Sequence, residues 1–200
     1  MVEPTFYLQE KANYEYYCRK SRFLAYGFYL NNLTQIMDYI SSLKAQHHQA
    51  AHFPYAYIFH EQIFASDNGE PAHSAAENIL SALKSSHFNN ILVVVVRYFG
   101  GLKLGLPTLG KCFYWTTQQM LQGAIKYQLK EIFTYQLRVT SIMSASLYKY
   151  LNQNNIKIKS TVWDDDLIIE VENIDLEAIT PLVKEAKLLS RTNEFTKLES

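Results

Sequence analysis

The sequence predicts an α+β protein organised as two domains, residues 1–128 and 129–200, with a boundary near Tyr127 to Lys130. Three observations carry that prediction. Ile91 to Val96 is an unbroken apolar run with four valines, and a β-branched run this short fits a strand buried on both faces of a sheet. Segments of helical period lie on either side of it, one with Leu33, Ile36, Met37, Ile40 and Leu43, the other with Leu109, Cys112, Phe113, Thr116 and Met120. Beyond residue 128 the pattern changes to the order βαββαβ, that of a ferredoxin-like unit.

Taken in order, Tyr14 to Leu30 is aromatic and β-prone, interrupted by Arg19, Lys20 and Arg22, and reads as a strand pair or one bent strand. Asn31 or Asn32 caps the first helix, which ends near His47-His48. Pro54 to His60 is a strand, and Ser66 to Pro71 (SDNGEP) a polar turn. Ser74 and Glu77 have capping-box spacing and open a helix with Ala76, Ile79, Leu80 and Leu83 inward. Asn89-Asn90 turns the chain into the valine strand. A glycine-bearing turn follows, and Pro107 stands at the start of a helix running to about Lys126, where its missing N–H costs nothing.

In the second domain, Glu131–Thr140 reads as a strand and Ser141–Leu151 as a helix presenting Met143, Leu147, Tyr150 and Leu151. Ile156–Trp163 and Leu167–Val171 alternate around Asp164-Asp165, which predicts a hairpin. Asp175–Leu189 is expected to be helical, started or kinked at Pro181, and Asn193–Leu198 to be a last short strand.

Hydrophobic residues make up 48% of the 200-residue chain, which is ample core material and argues against disorder. No apolar run approaches the roughly 20 residues that span a bilayer, and MVEPTFYLQEK lacks a signal-peptide pattern. Cys18 and Cys112 are far apart in sequence and in no metal or redox spacing, so a cytoplasmic, reducing location is expected. The 19 basic and 19 acidic residues cancel, which weighs against a strongly basic surface and leaves room for a local patch.

Chemistry concentrates around RYFGGLKLG, Arg97 to Gly105. Strand, glycine turn and helix start can aim backbone N–H groups at an anion, with Arg97 and Lys103 beside them. The same residues also serve a plain strand-to-helix connection. Asp67 and Glu70 could hold a metal or act as acid and base, though Asp-Asn-Gly-Glu-Pro is equally a good turn. His47, His48 and His52 supply no tetrahedral zinc set and read as surface or core residues. Arg19, Lys20 and Arg22 interleave with Tyr16, Tyr17 and Phe23, as on a nucleic-acid face or at the solvated edge of an aromatic strand. Cys112 reads as core.

RYFGGLKLG after a valine strand, preceded by KSRF, an A-x-H-type segment and SDNGEP, resembles the IMPACT family in its bacterial, YigZ-type form. The resemblance spans nearly the whole chain. It implies an N-terminal domain similar to the second domain of a small-subunit ribosomal protein, followed by a ferredoxin-like C-terminal domain. Eukaryotic members regulate translation by binding the activator of an initiation-factor kinase, through a partner that does not transfer to this architecture. For bacterial members the resemblance implies a role close to ribosomes, RNA or translational control.

The chain departs from the family pattern at Asn68, which stands for a second Asp, and at His73-Ser74-Ala75-Ala76, which stand for Gly-Thr-Ala-Gly. It also departs at Asn78, at Phe53-Pro54 after the retained His52, and at Pro107-Thr108-Leu109. A binder is therefore expected rather than a catalyst, with no catalytic residue, metal ligand or cofactor assigned. The expected ligand-binding residues are Lys20, Arg22, Asp67, Glu70, Arg97, Tyr98, Gly100, Gly101, Lys103 and Gly105. The expected partner is RNA or a ribosome-associated protein, with no membrane and the oligomeric state open. The alternatives are a metal-assisted enzyme acting on a phosphorylated small molecule or peptide, and a protein-interaction module without nucleic acid.

Overall fold

Five strands form the first sheet of the computed structural model, which describes residues 5–50 and 52–198. They are β1 (Ala12–Cys18), β2 (Ser21–Tyr29), β3 (Tyr55–Phe59), β4 (Gln62–Ser66) and β5 (Ile91–Tyr98), in the spatial order β1-β2-β5-β3-β4. All four pairings are antiparallel. Of the two readings of residues 14–30, the strand pair is the observed one. Arg19 and Lys20 make its turn with φ of 43° and 68°.

Period 2 divides the central strand between two cores. Val93 and Val95 face α2 (Ala76–Lys84) and α3 (Leu106–Gly123), together with Phe23, Ala25, Ile79, Leu83, Leu109 and Phe113. Leu92, Val94 and Val96 face α1 (Gln35–Gln46), with Leu24, Phe28, Ile36, Ile40 and Leu43. Helices on both faces explain why the valine run shows no apolar–polar alternation. The next two residues inherit the same rule, so Arg97 continues the α2/α3 face and Tyr98 the α1 face.

Several sequence expectations are corrected. The helix capped from Asn31 or Asn32 starts later, with Thr34 as its N-cap and no side-chain cap bond, while the Gln35 carboxamide accepts the Asn31 and Asn32 N–H groups. Ser74 does not open α2 with Glu77. Its hydroxyl donates to the Pro71 carbonyl at 2.7 Å, and Glu77 pairs with His73. The first sheet also gains β4, an exposed edge strand whose polar ends concealed it.

Of the described residues, those up to Gln128 with Thr196–Leu198 form one unit, and Leu129–Phe195 the other. The second sheet has the order β7-β8-β6-β9, from β6 (Tyr127–Val139), β7 (Ile158–Trp163), β8 (Leu167–Glu172) and β9 (Glu185–Lys197). Leu137, Val139, Leu167, Ile169 and Val171 pack with Leu147 and Leu151 of α4 (Ser141–Gln153), whose N-cap Thr140 accepts the Met143 N–H. The helix expected over 175–189 is one short turn, α5 (Leu176–Ile179), then a 3-10 turn (Thr180–Leu182) and the long strand β9. Pro181 cannot donate to a continuing helix, and pairing beside β6 satisfies the backbone that follows.

Candidate functional site

The two turns singled out in the sequence meet through one ion pair. Arg97 Nη1 donates to both Glu70 carboxylate oxygens, at 3.0 and 2.7 Å. The Arg97 side chain is 9% exposed and that of Glu70 0%. The Arg97 guanidinium carbon lies 5.7 Å from the Phe23 ring centre and 5.6 Å from that of Phe99. Arg97 Nε is buried without a partner among the described residues, as is Nδ1 of His52, the residue bridged to Arg97 across the backbone. An arginine so enclosed ties the 66–71 turn to the sheet; only its remaining edge is left for a ligand.

Asp67 takes a different partner from Glu70. Its carboxylate accepts the backbone N–H groups of His73, Ala75 and Ala76 at 2.9, 2.9 and 2.8 Å. It therefore caps α2, the role the sequence had assigned to Ser74. Burial raises its pKa, and the three amides outweigh that and hold the carboxyl below its usual range.

Gly100 makes the closest approach in the region. A Cβ there would lie 2.1 Å from the Lys20 carbonyl carbon and 2.5 Å from the Ser21 nitrogen. Its N–H donates to the buried Ser21 hydroxyl at 3.2 Å. Glycine is the only residue that lets the β1–β2 turn seat against the β5–α3 turn. Gly101 (φ +82°) and Gly105 (φ +75°, the N-cap of α3) then carry the chain through a conformation that favours glycine. The result is an exposed ridge with Arg19 and Lys20 on one turn and Phe99, Leu102 and Lys103 on the other. Arg19, Lys20 and Lys103 form no ion pair among the described residues. Phe99 is 58% exposed. Tyr17, near the end of β1 and 63% exposed, lies on the sheet's other face beside Arg22 and Glu15.

Arg22 and Tyr98 lie on the opposite face of the sheet. Arg22 donates to the Glu15 carboxylate at 2.5 and 3.2 Å, and its guanidinium carbon is 5.5 Å from the Tyr98 ring centre. The Tyr98 hydroxyl is 2.9 Å from His47 Nδ1, and the Tyr26 hydroxyl 2.8 Å from His47 Nε2. Burial, then the charges of Arg22 and Lys11, lower the His47 pKa. The structure thus brings Arg97 to Glu70 and Lys20 to Gly100, and sets Arg22 and Tyr98 apart from them. Sequence reasoning passed over Ser21 and Phe99 as site residues, although Ser21 follows the basic pair directly and Phe99 precedes Gly100. Among the described residues no group of three or more His, Cys, Asp or Glu could hold a metal, and no helix is long and apolar enough to cross a membrane.

A three-layer α/β/α unit with an Arg–Glu clasp beside a Gly-Gly turn, joined to a second small α+β unit, defines a two-unit α+β protein. Residues 19–121, just over half of the chain, match the Impact N-terminal domain, and that span holds every residue of the clasp and the ridge. The chain belongs to the IMPACT family. It is 25% identical over 184 residues to the Escherichia coli IMPACT family member YigZ, covering 90% of this chain and 87% of that protein. It is 30% identical over 137 residues to the Bacillus subtilis member YvyE, covering 66% of this chain. The matches span 63% of the Bacillus subtilis protein and 53% of a Haemophilus influenzae member. A crystal structure of a hypothetical protein is 23% identical, with a TM-score of 0.61, over 91% of this chain and 90% of that one, and shares the fold.

Proposed function

We propose that this protein binds RNA, free or within a ribosome-linked assembly, and acts in translational regulation in the cytoplasm. The observation that carries the reading is the seating of Gly100 on Lys20 and Ser21, which joins two turns into one ridge of an exposed ring and cations that form no ion pair among the described residues. Arg19, Lys20 and Lys103 would hold phosphates and release their counterions. Phe99 would offer a face on which bases stack. Arg97 and Glu70 build the ridge from behind, and Asp67 fixes the turn that holds Glu70. On this reading the first unit is the ribosomal-protein-like domain and the second the ferredoxin-like one.

The enzyme alternative draws no support from its two carboxylates. Asp67 is held ionised by a helix end, and Glu70 is fully enclosed with a cation. The test is titration of the purified chain against labelled single-stranded RNA, with Arg19→Ala/Lys20→Ala/Lys103→Ala and Phe99→Ala variants in parallel. Binding strongly weakened in the triple variant and weakened about tenfold in Phe99→Ala is the expected result. A triple variant that binds like the parent removes the ridge from the interface. A parent that binds no RNA yet turns over a phosphorylated substrate supports the enzyme instead.

A further inference from the structure

Cys18 and Cys112 lie 94 positions apart in sequence and side by side in the fold. The inward positions of β1 are Tyr14, Tyr16 and Cys18, and they face α3, whose inward side carries Cys112. Both thiols are free, and both line one cleft of about 560 Å³ with Tyr16, Asn78, Lys111 and Trp115. The Cys18 side is half-buried and Cys112 buried. Burial, then a hydrogen bond with the Cys18 thiol, pushes the Cys112 pKa up to about 12, against the opposing charges of Arg97 and Arg19. Cys112 alone is thus a poor nucleophile, and Cys18 is the thiol that the cleft opens to solvent.

We propose that Cys18 and Cys112 form a redox pair that closes to an intramolecular disulfide when a hydroperoxide reaches the cleft. The Cys18 thiolate attacks the peroxide, the O–O bond breaks, and Cys18 becomes a sulfenic acid while the alcohol leaves. The Cys112 sulfur then attacks the Cys18 sulfur, its proton leaves with the departing hydroxide as water, and the S–S bond forms. Two thiols are oxidised by two electrons, and one peroxide is reduced to alcohol and water. The new bond ties the edge strand β1 to α3 next to the Arg19–Lys20 turn. A cross-link over so long a stretch of chain restricts the unfolded state strongly.

The test is treatment of the native full chain with hydrogen peroxide, followed by thiol titration, intact mass and thermal unfolding. Both thiols should disappear together, the mass should fall by two hydrogens, the melting temperature should rise, and dithiothreitol should reverse all three changes. Cys18→Ser should abolish the reaction. Cys112→Ala keeps an apolar side chain in the core and should leave Cys18 as a sulfenic or sulfinic acid. Three outcomes overturn the proposal: a stable oxyacid on Cys18 in the parent with Cys112 still free, a disulfide-linked dimer, or no thiol loss in the native chain at a peroxide level that oxidises the unfolded one.

Discussion

Replacing Arg97 by Met leaves the Glu70 carboxylate inside the protein without its cation. None of the Glu70 side chain reaches solvent, so water cannot restore the hydration that the ion pair replaced. Breaking a buried pair by removing one partner costs about 3–5 kcal/mol. A domain of ordinary stability has about 5–15 kcal/mol in total, so the substitution removes a large share of it. With a urea dependence of about 1–3 kcal/mol per molar, the unfolding midpoint should fall by roughly 2 M. The double substitution Arg97→Met/Glu70→Leu removes both charges and should recover much of the loss, with a coupling of about 2–3 kcal/mol in the mutant cycle. High salt should leave the effect in place, because the pair is shielded from mobile ions. Arg22→Met, which removes an exposed pair with Glu15, should cost only about 0–1 kcal/mol. The assay is equilibrium urea unfolding followed by tryptophan fluorescence. A loss under 1 kcal/mol for Arg97→Met, or a double variant no better than the two single losses added, would refute the reasoning.

Gly100→Ala drives a methyl group into the Lys20 backbone and should cost about 3 kcal/mol, whereas Gly101→Ala meets no atom and should cost about 1 kcal/mol for its positive φ; equal midpoints would contradict the close approach. Asp67→Ala should cost about 0.5–2 kcal/mol in thermal unfolding and Ser74→Ala less, and the reverse order would return the α2 cap to Ser74. The Asp67 pKa is depressed in the folded chain, so its contribution is complete above the ordinary carboxyl range and fades as pH falls through the folded value; Asp67→Asn should flatten that limb of the stability profile. His47 is also depressed, but as a base. The unfolded chain then binds the extra proton first, stability falls as pH drops below about 6.5, and His47→Gln should remove that slope.

The sequence shows most plainly what repeats. Six apolar residues in a row place β5 at the centre of a sheet, and the helical periods place α1 and α3 against it. Isolated features were harder. β4 hides because Gln62 to Ser66 is an edge strand whose side chains need no pattern. β9 hides because its residues are mostly exposed and carry no alternation, while the leucines on either side of Pro181 imitate a helix. At the site, the glycine turn and both carboxylates stood out as motifs, yet their partners did not. Ser74-x-x-Glu77 has the spacing of a cap, but Asp67 reaches the amides at the start of the helix from a turn several residues away. The nearness of Cys18 to Cys112 depends on β1 packing against α3, which sequence spacing cannot express.

The central claim is that the ridge of Arg19, Lys20 and Lys103 meets phosphate, and the salt dependence of RNA binding tests it most directly. Affinity for a single-stranded RNA is measured from low to physiological salt, for the parent and for the Arg19→Ala/Lys20→Ala/Lys103→Ala variant. Each phosphate neutralised on a single strand contributes about −0.7 to the slope of log K against log salt concentration. The variant should bind more weakly, with a slope shallower by about 2. An unchanged slope, in a variant that unfolds like the parent, would contradict the account.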